Sequence, residues 1–369
     1  MSKKQIMFIS RGMAYGGSAR TIVEISEGLL HAGYDVVLVV LRNYDVEYPY
    51  SEELKTERLG LYTKETKVGK KDVITKWFPY IHKKIMEYKP DLVIPFGVDV
   101  CILTLLMKYK MTKVCATVRS NPCAEPKNAL GRLVRDFFYG RADYIWVQNT
   151  EQAQLMPSVE KERIIVCPNP LRDSLRDFQF EYSDKPTRLV TVGRLSPPKN
   201  HFLLLRSIKE LMVTIPEISL DIYGEGELQE ELQKYIDSNG MQRNVVLRGR
   251  VKNVERELVK HDIFILSSNF EGMPNALMEA MAVGMPCIST SCSTGPSELI
   301  DNGKNGLLVS VNKTDELVAA IKSLINDPKK CREIGTSAKA DVWELYSKQS
   351  VCERIVKCLG EIWEHETTV

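Results

Sequence analysis

The stretch "DIFILSSNFEGMPNALMEAMAVGMPCIST" (Asp262–Thr290) changes its local grammar three times without a spacer. "DIFILSS" is a short apolar run with β-branched residues, the composition of a buried strand. "NFEGMPN" contains Gly272 and Pro274, which punctuate a chain. "ALMEAMAVG" is rich in strong helix formers and stops on Gly284, and "PCIST" (286–290) reads as a further strand. Strand, turn, helix and strand make a crossover unit, so the segment predicts a parallel sheet covered by helices. Two acids flank the turn: Glu271 before it and Glu279 one turn inside the helix. The first N–H groups of such a helix, with its dipole, favour an anion at the carboxyl edge of the sheet. A carboxylate one turn in suits a ribose diol. Two glutamates at this spacing, taken alone, fit a solvated surface better than a binding site.

The same alternation extends in both directions. In the first half, "QIMFIS" (5–10), "DVVLVVL" (35–41), "DLVIPF" (91–96), "KVCATV" (113–118) and "YIWVQ" (144–148) read as strands. Between them lie amphipathic patterns such as "ARTIVEISEGLLHAG" (19–33), in which Ile22, Ile25, Leu29 and Leu30 share a face and Gly33 offers a stop. The rhythm halts at "VCPNPLRDSLRDFQFEYSDKPT" (166–187) and restarts with "RLVTVG" (188–193), "SLDIYG" (219–224) and "NVVLRG" (244–249). The expectation is an α/β protein with two doubly wound domains in tandem, facing each other across a cleft at the carboxyl ends of their sheets. Their bounds are 1–170 and 188–350, with a linker at 171–187 and a C-terminal helix at 351–369 packing back on the first domain.

Composition narrows the function classes. The chain has 369 residues, 44% of them hydrophobic and 27% charged, enough for two cores. It contains no apolar run of about 18 residues, so no spanning helix is expected. The start "MSKKQIMFISRGM" is basic and then apolar, but too briefly for a secretory leader, and reads as a buried first strand. Nine scattered cysteines with no C-x-x-C pair speak for a reducing cytoplasm over a disulfide framework or a zinc site, and Cys287 and Cys292 read as small buried residues. Residues 1–170 carry 25 Lys+Arg against 19 Asp+Glu, a balance of +6, and the remainder carries 25 against 29, a balance of −4. In "KKDVITKWFPYIHKKIMEYKP" (Lys70–Pro90), Trp77, Phe78, Tyr80 and Ile81 interleave with Lys76, Lys83 and Lys84, and more positive charge lies between Lys108 and Arg141. Anionic lipid headgroups, nucleic acid and a plain solvated helix face all fit such a surface.

Two further strand-to-helix turns carry chemistry. "VTVGRLSPPKNH" (190–201) offers Arg194, a planar fork, and Lys199, a compact charge, which together suit a diphosphate. "SRGMAYGGSARTI" (10–22) offers Gly16 and Gly17, where a backbone can approach a phosphate or sugar. It is neither G-x-G-x-x-G nor a P-loop.

"GRLSPPKNH" (193–201), "FEGMPNALMEAMAVGMPCISTSCSTGPSELI" (270–300) and "NGLLV" (305–309) together resemble the C-terminal half of the family 4 glycosyltransferases, and the likeness extends over nearly the whole chain. These are retaining enzymes of the GT-B fold, two Rossmann-like domains. The resemblance implies that Gly193, Arg194 and Lys199 meet the donor's diphosphate and that Glu279 binds the ribose hydroxyls. It implies further that Glu271 contacts the donor sugar, and that Gly272, Met273, Pro274, Asn275 and Ala276 contact sugar and phosphate. Gly16 and Gly17 would approach the diphosphate or the acceptor, while Tyr223, Gly224 and Val251 would line the base pocket. Arg194, Lys199 and Glu271 are the implied catalytic set.

The chain departs from the family pattern in the loop after the fourth strand of the first domain. Many relatives place a histidine there, whereas this loop reads "TVRSNP" with Arg119 and Asn121. A contact to the donor sugar or an acceptor phosphate and a structural pairing are both open for Arg119. "RSNP" and "PNP" (168–170) are similar to members that use UDP-hexoses or UDP-N-acetylhexosamines.

No D-x-D triplet occurs, so metal-independent transfer without a cofactor is expected. The implied partners are a nucleotide-sugar donor, a polyprenyl-diphosphate-linked glycan acceptor and an anionic membrane at the cytoplasmic face, with no nucleic acid. A nucleotide-sugar epimerase of the same fold and a non-catalytic nucleotide-sugar or lipid binder are the competing readings.

Overall fold

A computed structural model of the chain describes residues 3–14, 16–44, 47–60, 69–107, 112–156 and 159–367. Tyr15, in the first predicted strand-to-helix turn, and Lys108 and Lys110, in the predicted basic region, lie outside the described residues. The chain divides into two compact units: Met1–Pro170 with Lys348–Val369, and Leu171–Ser347.

The first unit is built on strands β1 (Gln5–Gly12), β2 (Asp35–Arg42), β3 (Lys55–Arg58), β4 (Leu92–Phe96), β5 (Lys113–Thr117), β6 (Tyr144–Val147) and β7 (Ile164–Val166). They lie in the order β3-β2-β1-β4-β5-β6-β7, and every pair is parallel. Helices cover both faces of such a sheet, so its central strands are apolar without alternation. Ile6, Met7, Phe8 and Ile9 of β1 are fully buried, as are Val37 to Leu41 of β2. The helix Gly17–His31 turns Ile22, Ile25 and Leu29 into this core.

The helix Lys348–Thr367 packs against Gly17–His31. The contact is so close at Gly28 that a Cβ there would lie 2.1 Å from Cys352 Sγ. Lys348 secures it, with Nζ 3.0 Å from Glu24 Oε2 and 2.9 Å from Glu27 Oε2.

The Lys70–Pro90 segment does not present the mixed aromatic and basic surface suggested by its composition. Trp77 and Ile81 share a helical face and are buried, and Phe78 and Tyr80 pack partly against the same core. Lys84 is buried too, paired with Glu57 at 2.8 Å and Glu87 at 3.0 Å.

The second unit carries β8 (Arg188–Val192), β9 (Ser219–Tyr223), β10 (Val245–Gly249), β11 (Ile263–Leu266), β12 (Cys287–Thr290) and β13 (Leu307–Val309) in the order β10-β9-β8-β11-β12-β13, again all parallel. Both sheets are therefore doubly wound α/β sheets, as the alternating sequence predicts. The strand order reverses between β1 and β4 in one and between β8 and β11 in the other. Ligands of such sheets bind outside the carboxyl ends of the strands at that reversal.

The segment read as a linker is part of the second unit. Leu171 and Leu175 are fully buried in its core, Phe178 and Phe180 pack on the same cluster, and Tyr182 donates its hydroxyl to the Gly284 carbonyl at 2.9 Å. An irregular segment has no periodicity to announce burial, and here Leu175 on a short 3-10 turn (Asp173–Asp177) and the apolar residues flanking that turn fill the core instead.

Candidate functional site

The loops leaving β8 and β11 lie side by side because their strands are neighbours at the reversal. After β8 the chain runs through Gly193 and Arg194 into a 3-10 turn, Pro197–Lys199. Asn200 then enters the left-handed region at φ 47° and its side chain caps the helix His201–Thr214. Prolines pre-set this turn, and asparagine tolerates the left-handed position that follows. The two loops are joined at several points. Asn269 N–H donates to the Pro198 carbonyl at 2.7 Å, Asn200 Nδ2 to Asn269 Oδ1 at 2.9 Å, and Ser267 Oγ to the Lys199 carbonyl at 2.9 Å.

This stitching brings together two of the predicted catalytic residues. Lys199 Nζ lies 2.6 Å from Glu271 Oε1, and Ser268 Oγ donates to the same oxygen at 2.5 Å. Glu271 is 9% exposed, and the Thr294 hydroxyl donates to its backbone carbonyl. A nearly buried carboxylate is thus held at its side chain by a cation and a hydroxyl and at its backbone by a second loop. Charge-assisted bonds of this kind fix geometry as well as energy. The third predicted catalytic residue, Arg194, is exposed, and its guanidinium has no hydrogen-bond or ionic partner among the described residues.

Beneath Arg194, His201 is buried and its Nε2 lies 3.2 Å from the Arg194 carbonyl. Burial pushes the imidazole's pKa down to about 4, so the ring is neutral at physiological pH. It donates through Nε2, because a carbonyl can only accept, and so ties the Arg194 backbone to the helix start.

From Glu271 the loop passes through Gly272, Met273 and Pro274, all buried, into the helix Asn275–Val283. Pro274 occupies the N-cap and provides no side-chain oxygen for the first-turn N–H groups. Asn275 and Ala276 are half-buried and form the accessible part of that turn. Glu279 is buried, and Arg172 Nη2 reaches its Oε1 at 3.4 Å and Glu255 Oε2 at 2.9 Å.

Tyr223 ends β9 with its ring buried and its hydroxyl donating to Glu257 at 3.0 Å; burial, first, and this carboxylate hold the phenol well above its usual pKa. Gly224 follows directly, and Val251 is half-buried against the same core.

In the first unit, Gly16 precedes the helix Gly17–His31 in extended backbone, with nothing nearer to a would-be Cβ than Ala14 O at 3.8 Å. Its smallness leaves room at the helix start but is not demanded by the backbone. Arg119 follows β5, where its guanidinium stacks 4.9 Å from the Phe96 ring centre and 5.9 Å from that of Trp146. Its Nη2 donates to Asn169, whereas Nη1 is shielded from solvent with no partner. Burial pushes its pKa down to about 10, so it remains a cation. Asn121 Oδ1 accepts from Cys123 N–H at 2.8 Å and folds the loop. None of the nine cysteines is in a disulfide, and among the described residues no group of three or more His, Cys, Asp or Glu is placed to hold a metal ion.

Residues 174–341 match the family described as "Glycosyl transferases group 1". That stretch makes up most of the second unit and is similar to group 1 glycosyltransferases. The chain is 34% identical over 244 residues to an uncharacterized glycosyltransferase of Methanocaldococcus jannaschii, a match spanning 60% of each chain. It is 26% identical over 339 residues, 91% of this chain and 92% of the other, to the Campylobacter jejuni "GalNAc-alpha-(1->4)-GalNAc-alpha-(1->3)-diNAcBac-PP-undecaprenol alpha-1,4-N-acetyl-D-galactosaminyltransferase". Among solved structures, Anabaena HepE in complex with UDP superposes with a TM-score of 0.78 at 16% identity, covering 97% of this chain and 100% of that one. The fold is therefore the GT-B fold of two parallel-sheet α/β domains, and the family and the named relatives make the enzyme class glycosyl transfer.

Sequence reading missed Ser268, Thr294, Asn200 and Asn269 as the residues that hold the Lys199–Glu271 pair. Ser268 was adjacent to the quoted turn, but only the neighbouring loop reveals which hydroxyl reaches the carboxylate.

Proposed function

We propose that the protein is a retaining transferase of the family 4 type that moves a hexose or N-acetylhexosamine from a UDP-sugar to a polyprenyl-diphosphate-linked glycan. The observation that carries this reading is the Lys199–Glu271 pair, seated where the second sheet reverses its strand order and beside the exposed Arg194. In the proposed reaction the bond between the anomeric carbon and the diphosphate oxygen breaks, and the acceptor oxygen bonds to that carbon from the same face. The departing phosphate takes the acceptor's proton. Lys199 and Arg194 neutralise the charge that develops on the leaving group, a role that needs no metal ion. Glu271 positions the sugar; with its Oε1 engaged by both Lys199 and Ser268 it is not assigned as a nucleophile. Glu279 takes the ribose hydroxyls. The UDP bound to HepE and the diphospho-undecaprenol acceptor of the Campylobacter relative support donor and acceptor class.

Incubation with a panel of nucleotide sugars, with and without EDTA, tests this directly. Release of UDP from one donor that survives EDTA is expected; release abolished by EDTA would remove the metal-independent step, and release of a different nucleotide would reassign the donor.

Association with an anionic membrane at the cytoplasmic face rests on the second of the two basic stretches, the one between Lys108 and Arg141. The helix Ala129–Tyr139 carries Leu130, Leu133, Val134 and Phe137, spaced as one stripe, at 71%, 67%, 39% and 65% exposure. Exposed Lys127 and Arg141 stand just beyond its two ends. An apolar stripe with flanking cations suits the headgroup boundary, and no helix among the described residues is long and apolar enough to cross a membrane. The paired substitution Leu133→Asp with Phe137→Asp is expected to weaken binding to phosphatidylglycerol vesicles roughly tenfold or more, since each side chain contributes about 1.5–3 kcal/mol on burial. Vesicle flotation at low salt measures it, and equal flotation of variant and parent would remove this helix from the membrane contact.

A further inference from the structure

We propose that Arg172 is a positioning residue that aims the Glu279 carboxylate at the nucleotide's ribose. The proposal rests on the assignment of Glu279 to the ribose hydroxyls and concerns how that acid is held in place.

Arg172 comes from the segment that joins the core of the second unit just before β8. On one side Leu171 is fully buried and its N–H donates to the Tyr346 carbonyl at 2.8 Å. On the other side Leu175 is fully buried. The backbone carrying the guanidinium is thereby fixed at both flanks. Its Nη2 makes two ionic contacts, to Glu255 Oε2 at 2.9 Å and to Glu279 Oε1 at 3.4 Å. The two carboxylates come from separate helices, Val254–Leu258 and Asn275–Val283, and their side chains are 8% and 7% exposed.

Two nearly buried acids sharing one nitrogen of one arginine repel each other unless the cation stays between them. The shorter bond to Glu255 anchors the guanidinium. The longer one sets the rotamer of Glu279 through a single oxygen. A carboxylate accepts several hydrogen bonds, so Glu279 held by Arg172 can still accept from a ribose hydroxyl. Orienting partners behind a ligand-binding group commonly matter nearly as much as the group itself. In this reading the arginine, which no motif singles out, provides the reason why an acid is accommodated one turn inside a buried helix.

The test compares UDP with 2′-deoxy-UDP by titration calorimetry. The parent is expected to bind UDP about tenfold more tightly than the deoxy analogue, because only UDP offers the 2′-hydroxyl. Arg172→Met is expected to bind UDP about as weakly as 2′-deoxy-UDP while its affinity for 2′-deoxy-UDP stays at the parent's level, and Arg172→Lys is expected to restore part of the discrimination. A general packing defect would weaken both nucleotides alike. Arg172→Met that keeps the parent's discrimination overturns the positioning role, as does equal loss for both nucleotides. If Glu279→Gln also keeps full discrimination, the ribose assignment itself fails. If Glu279→Gln loses discrimination while Arg172→Met keeps it, only the positioning role fails.

Discussion

Replacing Lys199 by alanine is expected to lower kcat/KM for the nucleotide-sugar donor by roughly a hundredfold to a thousandfold, the range for removing one preorganised group from a developing negative charge. Two effects act in the same direction. The leaving diphosphate loses a cation, which leaves Arg194 to meet it alone. In addition, Glu271, 9% exposed and 2.6 Å from Lys199 Nζ, becomes an uncompensated carboxylate facing an anionic ligand. The second effect can be separated from the first. Adding Glu271→Gln to Lys199→Ala removes the repulsion and is expected to recover part of the donor affinity without recovering kcat, since the cation and the sugar contact are both still missing. Steady-state transfer and UDP titration on the two variants provide the measurement. If Lys199→Ala transfers as well as the parent, Lys199 does not serve the leaving group and the reading of this site as a donor site loses its central support.

How much of this was legible in the sequence differs between the fold and the site. Strands buried on both faces have to be continuously apolar, so β1, β2, β4 and β8 stand out as uninterrupted runs. The edge strand β3 is "KTER", with three of four residues charged, and has no such signature; β7 and β13 span only Ile164–Val166 and Leu307–Val309. The turn with Glu271 and the turn with Lys199 were each visible, but their contact spans 72 residues and exists because β8 and β11 are neighbours in the sheet. Spacing within one segment holds no information about that. Arg172 was hidden twice over, once in an irregular segment and again by a separation of 107 residues from Glu279.

The two aromatic-rich stretches show the same boundary from the other side. Composition could not say which helix face turns inward. Trp77 and Ile81 went into the core, whereas Leu133 and Phe137, on a pattern of the same kind, remained outside.

Gly224→Ala is expected to be the most damaging single-methyl change near the site, destabilising the second unit by about 3 kcal/mol or more. Gly224 has φ 147°, where a side chain is strained, and a Cβ on it would lie 1.9 Å from Gly193 O and 2.8 Å from Gly193 C. Those are backbone atoms, so no side chain can swing away. Nor can the backbone yield easily: Gly193 N–H donates to the Tyr223 carbonyl at 2.9 Å and Gly224 N–H to the Gly249 carbonyl at 2.8 Å, which ties the ends of β8, β9 and β10 together. The methyl must therefore push the end of β8 away from β9. Arg194 directly follows Gly193, and Lys199 is on the same loop, so UDP affinity is expected to fall along with stability. Gly240→Ala is the control: its φ is 67°, but a Cβ there meets nothing within 4 Å, so it bears the conformational strain without the clash. Calorimetric melting of both variants separates the terms, with a drop of about 6–12 °C expected for Gly224→Ala and a clearly smaller one for Gly240→Ala. Equal drops would mean that the strand ends part without resistance, and that the geometry beneath Arg194 and Lys199 is looser than the hydrogen bonds across it imply.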